Sequence, residues 1–332
     1  MPKSVITGGA GFIGSNLAHY LCHQGHEVTV IDNLSTGSTE NLLPEYSESE
    51  NEPSPNQITF VKGDVRDRVL MTELLQGADF VFHQAALPSV PRSIDDPWTS
   101  NDYNVNGTLS VLLAARDAGV RRVVYAASSS VYGNTEILPK VETMKAWPLS
   151  PYAISKHVGE LYCRVFNEVY GLETVALRYF NVFGPRQRPD SAYAAAIPKF
   201  MAAFRQGKPP VVYGDGEQTR DFTYVQNVVR ANLAAATAAA ERVSGRIFNI
   251  GCGNRISINS LLREIKELTG SDVSPVYIEA RSGDVRDSQA DITAAREAFG
   301  YEPEIDLREG LRQTLAWFER RSEQPLQLSG TH

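Results

Sequence analysis

The sequence predicts an α/β fold, a doubly wound parallel sheet with a smaller C-terminal domain. Short β-branched runs alternate with longer helical patterns through the first half of the chain, as in successive βαβ units. A glycine-rich string joins the first run directly to the first helical pattern. The length of 332 residues suits one large or two unequal domains.

Taken in order, the expected strands are Ser4 to Thr7, Glu27 to Asp32, Ile58 to Lys62, Phe80 to Gln84, Val123 to Ala127 and Thr174 to Arg178. Helical patterns separate them at Gly14 to Gln24, Val69 to Gln76, Val105 to Ala118 and Pro151 to Tyr170. The segment Glu45 to Asn56 is acidic, contains Pro and Ser and has no apolar period, so it is expected to be a solvated insertion. Pro185 to Ala192 reads as loop, Ile197 to Gln206 as helix, Val211 to Tyr213 as strand and Gln226 to Ala240 as helix. Arg246 to Ile250 reads as a strand returning to the large domain, and Ser257 to Phe318 as a smaller helical unit with a strand near Val276 to Glu279. The expected division is a cofactor domain at 1–180 with a returning segment at about 214–255, and a substrate domain at 181–213 and 256–332.

Composition narrows the function. The charge is −7, from 32 Lys+Arg against 39 Asp+Glu, which argues against a broad nucleic-acid surface but not against a small phosphorylated ligand held by a few arginines. Cys22, Cys163 and Cys252 lie far apart without metal-ligand spacing, so reduced thiols and no metal are expected. His19 and His23 share a helix face but lack a third ligand. No apolar run approaches membrane-spanning length and no basic, then apolar leader opens the chain, so a cytoplasmic protein without membrane contact is expected.

Gly8, Gly11 and Gly14 stand at three-residue spacing between the first strand and first helix. Glycine there lets the backbone approach a pyrophosphate, and the free N–H groups of the helix start complement its charge. The expected fold is therefore Rossmann-type. Phe12 and Ile13 belong to the same turn. Asp32 ends the second strand, where a carboxylate can accept from ribose hydroxyls, and Asn33, Ser35, Thr36 and Gly37 follow with no cation for a 2′-phosphate. NAD is thus favoured over NADP. Asp64, Val65, Gln84, Ala85 and Ala86 sit after the third and fourth strands at the same edge and are expected to wall the cofactor.

Tyr152 and Lys156 stand at i and i+4 on one helix face. An ammonium beside a phenol stabilises the phenolate, so Lys156 is expected to lower the Tyr152 pKa and make it a general base. Ser128, Ser129 and Ser130 follow the fifth strand, where a hydroxyl can bridge a substrate oxygen and Tyr152. A non-catalytic NAD-binding regulatory protein would share the glycine turn but has no need for Ser128, Tyr152 and Lys156 together.

The segments TGGAGFIGS, NVNGT, SSSVYG, SPYAISK and LRYFNVFGP, with TRDFTYV and RSGDVRDSQAD downstream, resemble the extended short-chain dehydrogenase/reductase family and its nucleotide-sugar 4-epimerases. The resemblance implies tightly held NAD, a UDP-sugar substrate and a homodimer built as a four-helix bundle from the helices near Val105 to Ala118 and Pro151 to Tyr170. It implies that Tyr152, helped by Ser128, takes the proton from the sugar 4-hydroxyl while hydride passes to NAD⁺. The 4-keto sugar then turns over and hydride returns to its other face. Lys156 and Tyr179 would bind the nicotinamide end.

The same resemblance supplies the substrate residues. Arg220 and Arg281 would grip the diphosphate, Asn181 the phosphate nearest the sugar, Tyr213 the uracil and Asp284 the uridine ribose. Ser288 would occupy a gate position where a small residue admits a 2-acetamido group, with Ala195 also small and Gln187 able to bond an amide. QAALPSVPRS and RSGDVRDSQAD most resemble the branch acting on UDP-N-acetylglucosamine and UDP-N-acetylgalactosamine, although Pro88 stands where that branch commonly has glycine. Dehydratases and decarboxylases of the family resemble TDEVYG, TSELYG or TSEVYG where this chain has SSSVYG, and a serine cannot readily replace the acidic group. UDP-glucose is a possible further substrate. The alternative is a UDP-uronate 4-epimerase, with Arg92 or Arg186 meeting the C6 carboxylate, although the expected role for either is that of a solvated loop arginine.

Overall fold

The structure, a computed structural model, describes residues 1–43, 58–188, 195–280 and 285–323. The expected insertion at 45–56, part of the 185–192 loop, and Arg281 and Asp284 lie outside these residues.

Six strands occupy the expected places: β1 (Lys3–Thr7), β2 (Glu27–Asp32), β3 (Thr59–Lys62), β4 (Phe80–His83), β5 (Arg122–Ser128) and β6 (Glu173–Tyr179). The returning strand Arg246–Ile250 is the seventh and pairs with β6, Arg246 opposite Val175. Every pairing in this sheet is parallel, and the order runs from the returning strand through β6, β5, β4, β1 and β2 to β3. The direction of winding reverses between β1 and β4, opening a crevice at their carboxyl ends where ligands bind in such sheets. β4 and β5 are buried along almost their whole length, as expected for central strands covered on both faces.

Helix boundaries depart from the sequence reading at informative points. Helix α1 (Phe12–His23) starts earlier than expected, directly on the glycine turn, and its N-cap Gly11 supplies no capping side chain. The expected helix at 105–118 is instead Gly107–Asp117, preceded by a π-helical turn at Asp102–Asn106 and two short helices, Val90–Asp95 and Pro97–Asn101. Each short helix carries a proline in its first turn and is capped from outside, by Ser89 and Asp96 respectively. The helix Pro151–Tyr170 begins where expected, with Ser150 accepting from the Ala153 amide at 3.2 Å, and ends on left-handed Gly171.

The C-terminal part comprises Ile258–Thr269, Thr293–Phe299 and Leu307–Glu323, with strand Val276–Ile278 lying parallel to Val211–Tyr213. Its buried side chains, among them Leu261, Ile265, Ala295 and Leu311, are continuous with Ile6, Phe82 and Leu177 of the sheet. No helix among the described residues is long and apolar enough to cross a membrane.

Between the helix Pro151–Tyr170 and β6 lies a buried ion pair. Glu160, on the helix Pro151–Tyr170, accepts from Arg178 of β6 at 2.7 and 2.8 Å, and the Arg178 guanidinium lies over the Tyr132 ring at 4.7 Å. Removing one member of a buried pair strands the other charge, which costs about 3–5 kcal/mol. Glu160→Ala is therefore expected to lower the urea unfolding midpoint by a corresponding amount, and an unchanged midpoint would contradict this.

Candidate active site

The glycine turn is shaped by backbone contact. Gly8 has φ +67, and a Cβ there would lie 2.7 Å from the Ala85 backbone nitrogen and Cα. A Cβ on Gly14 would lie 2.3 Å from the Gly8 carbonyl oxygen and 2.7 Å from Gly9 Cα. These approaches bring β1, the loop after β4 and the first turn of α1 around one point. With no side chain capping α1, its first amides remain available to an anion. The residues present therefore fit a dinucleotide pyrophosphate.

Asp32 accepts from the Ala10 amide at 3.0 Å and the Leu34 amide at 2.8 Å, which ties the end of β2 to the glycine turn. Burial pushes its pKa up and these two amides oppose the shift. Gly37 packs against the same carboxylate, and the Ser35 amide donates to Asn33 Oδ1 at 3.0 Å. Asp64 is committed as well: Arg66 donates to it at 2.7 and 2.9 Å and Asn33 at 2.9 Å, and these bonds, Arg66 first, hold its carboxyl down at about 2. Val65 is buried beside it. The Gln84 amide donates to the Tyr179 hydroxyl at 3.0 Å and to Asn232 Oδ1 at 3.1 Å, and Tyr179 also bonds Asn232 at 3.0 Å. Burial raises the Tyr179 pKa to about 12, so its hydroxyl stays neutral.

Ser128, Tyr152 and Lys156 meet at the carboxyl end of β5. The Ser128 hydroxyl is 2.8 Å from Ser130 Oγ and accepts from the Ser130 amide at 3.2 Å. Ser129 and Ser130 open the 3₁₀ turn that follows. Lys156 is almost wholly buried and donates to the Ala126 carbonyl at 2.7 Å, its ammonium 4.9 Å from the Tyr125 ring centre. Burial lowers its pKa to about 8 against the opposing charge of Glu160.

The expected lowering of Tyr152 by Lys156 is not seen in the chain by itself. Burial raises the phenol pKa, and Ser128 is the group that opposes the rise. The ammonium is instead engaged by the Ala126 carbonyl.

A second cavity, of ≈ 270 Å³, brings Asn181, Ala195, Tyr213 and Arg220 together with Phe222 and Ile258. Asn181 has φ +27, and its amide donates to the Asp221 carbonyl at 3.2 Å. Arg220 donates to the carbonyls of Thr219 and Arg286 at 2.8 and 2.9 Å, which fixes its guanidinium on the cavity wall. Ser288 is buried, with its amide bonded to the Thr219 carbonyl at 3.2 Å. Pro88 is exposed in the loop after β4. Arg186 corrects the sequence reading: it is not a solvated loop arginine but 8 % exposed, donating to Asn16 on the first turns of α1 at 3.0 Å.

Three residues escaped the sequence reading. Asp221 accepts from the amides of Cys252, Gly253 and Ala290 at 2.8, 3.0 and 3.0 Å, while burial pushes its pKa up to about 6. It thereby fastens the end of the returning strand to the segment carrying Ser288. Asn232 receives Gln84 and Tyr179 from a distant helix. Asn104 bonds Leu87 and Ser155. Of these, only Asn104 and Asp221 carried a signal, as members of the quoted NVNGT and TRDFTYV segments.

Gly14→Ala would place a methyl against immovable backbone, so it is expected to abolish NAD binding measured by calorimetry; retention of wild-type affinity would refute the cradle.

Comparison with known proteins agrees with this geometry. The family model described as NAD dependent epimerase/dehydratase family matches residues 4–251. A UDP-glucose 4-epimerase of Mycolicibacterium smegmatis is 38% identical over 97% of this chain and 100% of its own. A UDP-glucuronate 4-epimerase of Thermodesulfobacterium geofontis is 34% identical over 96% and 97%. The solved UDP-N-acetylglucosamine 4-epimerase from Methanobrevibacter ruminantium M1, in complex with UDP-N-acetylmuramic acid, superposes with TM-score 0.89 at 40% identity, covering 96% of this chain and 99% of that one. With the cofactor turn and the Ser128, Tyr152 and Lys156 cluster on one sheet edge, the chain belongs to the NAD-dependent epimerase/dehydratase family.

Proposed function

We propose that the protein is a UDP-sugar 4-epimerase acting on UDP-N-acetylglucosamine and UDP-N-acetylgalactosamine. The observation that carries the reaction type is Tyr152 one helical turn from buried Lys156, whose ammonium is bonded to the Ala126 carbonyl of the strand that ends at Ser128, beside the glycine turn. Gly8, Gly11, Phe12, Ile13 and Gly14 hold the pyrophosphate, with Asp32, Asn33, Ser35, Thr36 and Gly37 at the adenosine and Asp64, Val65, Gln84, Ala85, Ala86 and Tyr179 as walls. Bound there, NAD would supply the hydride acceptor and donor that epimerisation at the sugar C4 requires. Tyr152 removes and restores the 4-hydroxyl proton, Ser128 orients that oxygen, and Lys156 would bind the nicotinamide ribose and supply positive charge there. Residues 1–180 with about 214–255 serve the cofactor, while 181–213 and 256–332 serve the nucleotide sugar through Asn181, Tyr213, Arg220, Arg281 and Asp284.

The acetylated sugar is favoured by Gln187. Its Nε2 donates to the Val182 carbonyl at 3.2 Å, which leaves buried Oε1 as an acceptor with no partner among the described residues. An acetamido N–H matches that need, and small Ser288 and Ala195 leave it room. The Thermodesulfobacterium relative supports a UDP-uronate as the second reading. A homodimer is supported by Ile154, Leu161, Val165 and Val169, an exposed apolar stripe along the helix Pro151–Tyr170. The three free cysteines and acidic charge accord with a cytoplasmic site of action.

Incubation with UDP-glucose, UDP-N-acetylglucosamine, UDP-glucuronate and UDP-N-acetylglucosaminuronate, followed by separation of C4 epimers, tests the reading. Turnover of the acetylated hexose is expected, and turnover of none would refute an epimerase. Tyr152→Phe is expected to lower kcat by about 10²–10⁴-fold. The base works deprotonated, so kcat/KM rises with pH through its pKa. Ser128→Ala removes the hydroxyl that opposes the rise of that pKa on burial, so the rising limb should move to higher pH; a fixed limb would remove Ser128 from this role. Ser288→Tyr should depress turnover of the acetylated sugar more than that of UDP-glucose.

A further inference from the structure

His83, the last residue of β4, is buried and lies opposite Thr7 in the β1–β4 register, at the point where the sheet winding reverses. Its Nδ1 is 2.7 Å from Thr7 Oγ1 and its Nε2 is 2.9 Å from Thr108 Oγ1. The polarity of every link around it is forced. Thr108 Oγ1 is 2.6 Å from the Asn104 carbonyl, which can only accept, so the threonine proton is spent there. Thr108 must therefore accept from His83, which places the imidazole proton on Nε2. Nδ1 then accepts from Thr7, whose oxygen in turn accepts the Ala85 amide at 3.3 Å.

The chain continues beyond Asn104. Ser155 donates to the Tyr152 carbonyl at 2.8 Å, so it accepts from Asn104 Nδ2 at 3.0 Å, and Asn104 Oδ1 receives the Leu87 amide at 2.8 Å. Ala85 and Leu87 belong to the loop after β4, and Tyr152 and Ser155 to the first turns of the catalytic helix. We propose that His83 is a positioning residue, a neutral imidazole protonated at Nε2 alone, which couples the cofactor-binding turn after β1 and the loop after β4 to the helix carrying Tyr152 and Lys156.

The surroundings agree. The Tyr125 ring packs against the imidazole with centroids 5.7 Å apart, and its hydroxyl donates to the Lys156 carbonyl at 3.3 Å. Lys156 is the charged group facing the site. Burial and that ammonium together hold the histidine pKa down at about 3, so protonation would add a second buried cation beside the first. A buried histidine near a tyrosine base invites reading as a proton relay; here both ring nitrogens are already committed in one direction, leaving no proton to pass on. The proposal rests on the assignment of the glycine turn to NAD and of the helix to Tyr152 and Lys156.

Two measurements on the NAD-loaded enzyme test it. In protein labelled with ¹⁵N-histidine, two-bond proton–nitrogen correlation resolves the six imidazoles, and the His83 signal is identified by its loss in His83→Gln. The expected pattern is that of an Nε2-protonated ring, unchanged from pH 5 to 9. An Nδ1-protonated pattern, or titration within that range, would overturn the proposal. The second is a double-mutant cycle on NAD affinity. Thr7→Val and Thr108→Val should each weaken binding by about tenfold, and the double variant by little more than either, because links in one chain are not additive. Wild-type affinity in Thr108→Val, or additive losses, would overturn it. Neither readout needs turnover, so an inactive protein that binds NAD normally would count against the epimerase reading alone.

Discussion

The close approach of Gly8 to Ala85 is the constraint on which the site depends. Where β1 and β4 diverge, two backbones pass at a distance that excludes even one methyl group. That contact sets the height of the glycine turn above the sheet and brings the start of α1 toward the crevice. It also leaves Thr7 and His83 side by side beneath the turn. A parallel sheet creates such a crevice wherever its winding reverses. What is particular here is that the floor of the crevice is linked by hydrogen bonds through Thr108 and Asn104 to the helix that carries Tyr152 and Lys156.

Local pattern and long-range contact divide the legible from the illegible. The strands and the glycine turn could be read because period, β-branching and glycine spacing are properties of neighbouring residues. Tyr152 and Lys156 could be paired because a helix puts i and i+4 on one face. The two short helices at 90–101 could not be read, since each is little more than one capped turn with too few residues to show a period. Arg186 misled for another reason: its neighbours are loop-like, but its partner Asn16 lies on α1, far away in sequence. Asn232 and His83 act through partners that only the folded sheet assembles. The sign of the Tyr152 shift also lay beyond the sequence, because i,i+4 spacing places Lys156 on the correct face without saying which acceptor its ammonium will choose.

Buried polar groups knit the turn after β5 to the segment around Ser288. Glu160 and Arg178 support the Tyr132 ring, and the Tyr132 hydroxyl donates to Asn249 on the returning strand at 2.6 Å. Asn249 then donates to the carbonyls of Lys140 and Asp291 at 2.9 and 3.1 Å. The serine-bearing turn is thus held from behind by groups that also position the segment around Ser288. An apolar core could supply comparable stability, but it would not fix donors and acceptors in one register.

The seventh strand carries a consequence for assembly. Arg246–Ile250 completes the sheet only after the chain has already left it to build Val211–Tyr213 and the helix Ala196–Arg205. During synthesis β6 therefore stands as an uncovered edge, with its hydrogen-bonding groups open, until more than sixty further residues have emerged. The parallel sheet and the elements packed beyond it are interleaved in the order of translation and cannot mature one after the other. A chain truncated before residue 246 would contain every element of the glycine turn and the whole of the helix Pro151–Tyr170, and still present an incomplete sheet to its neighbours.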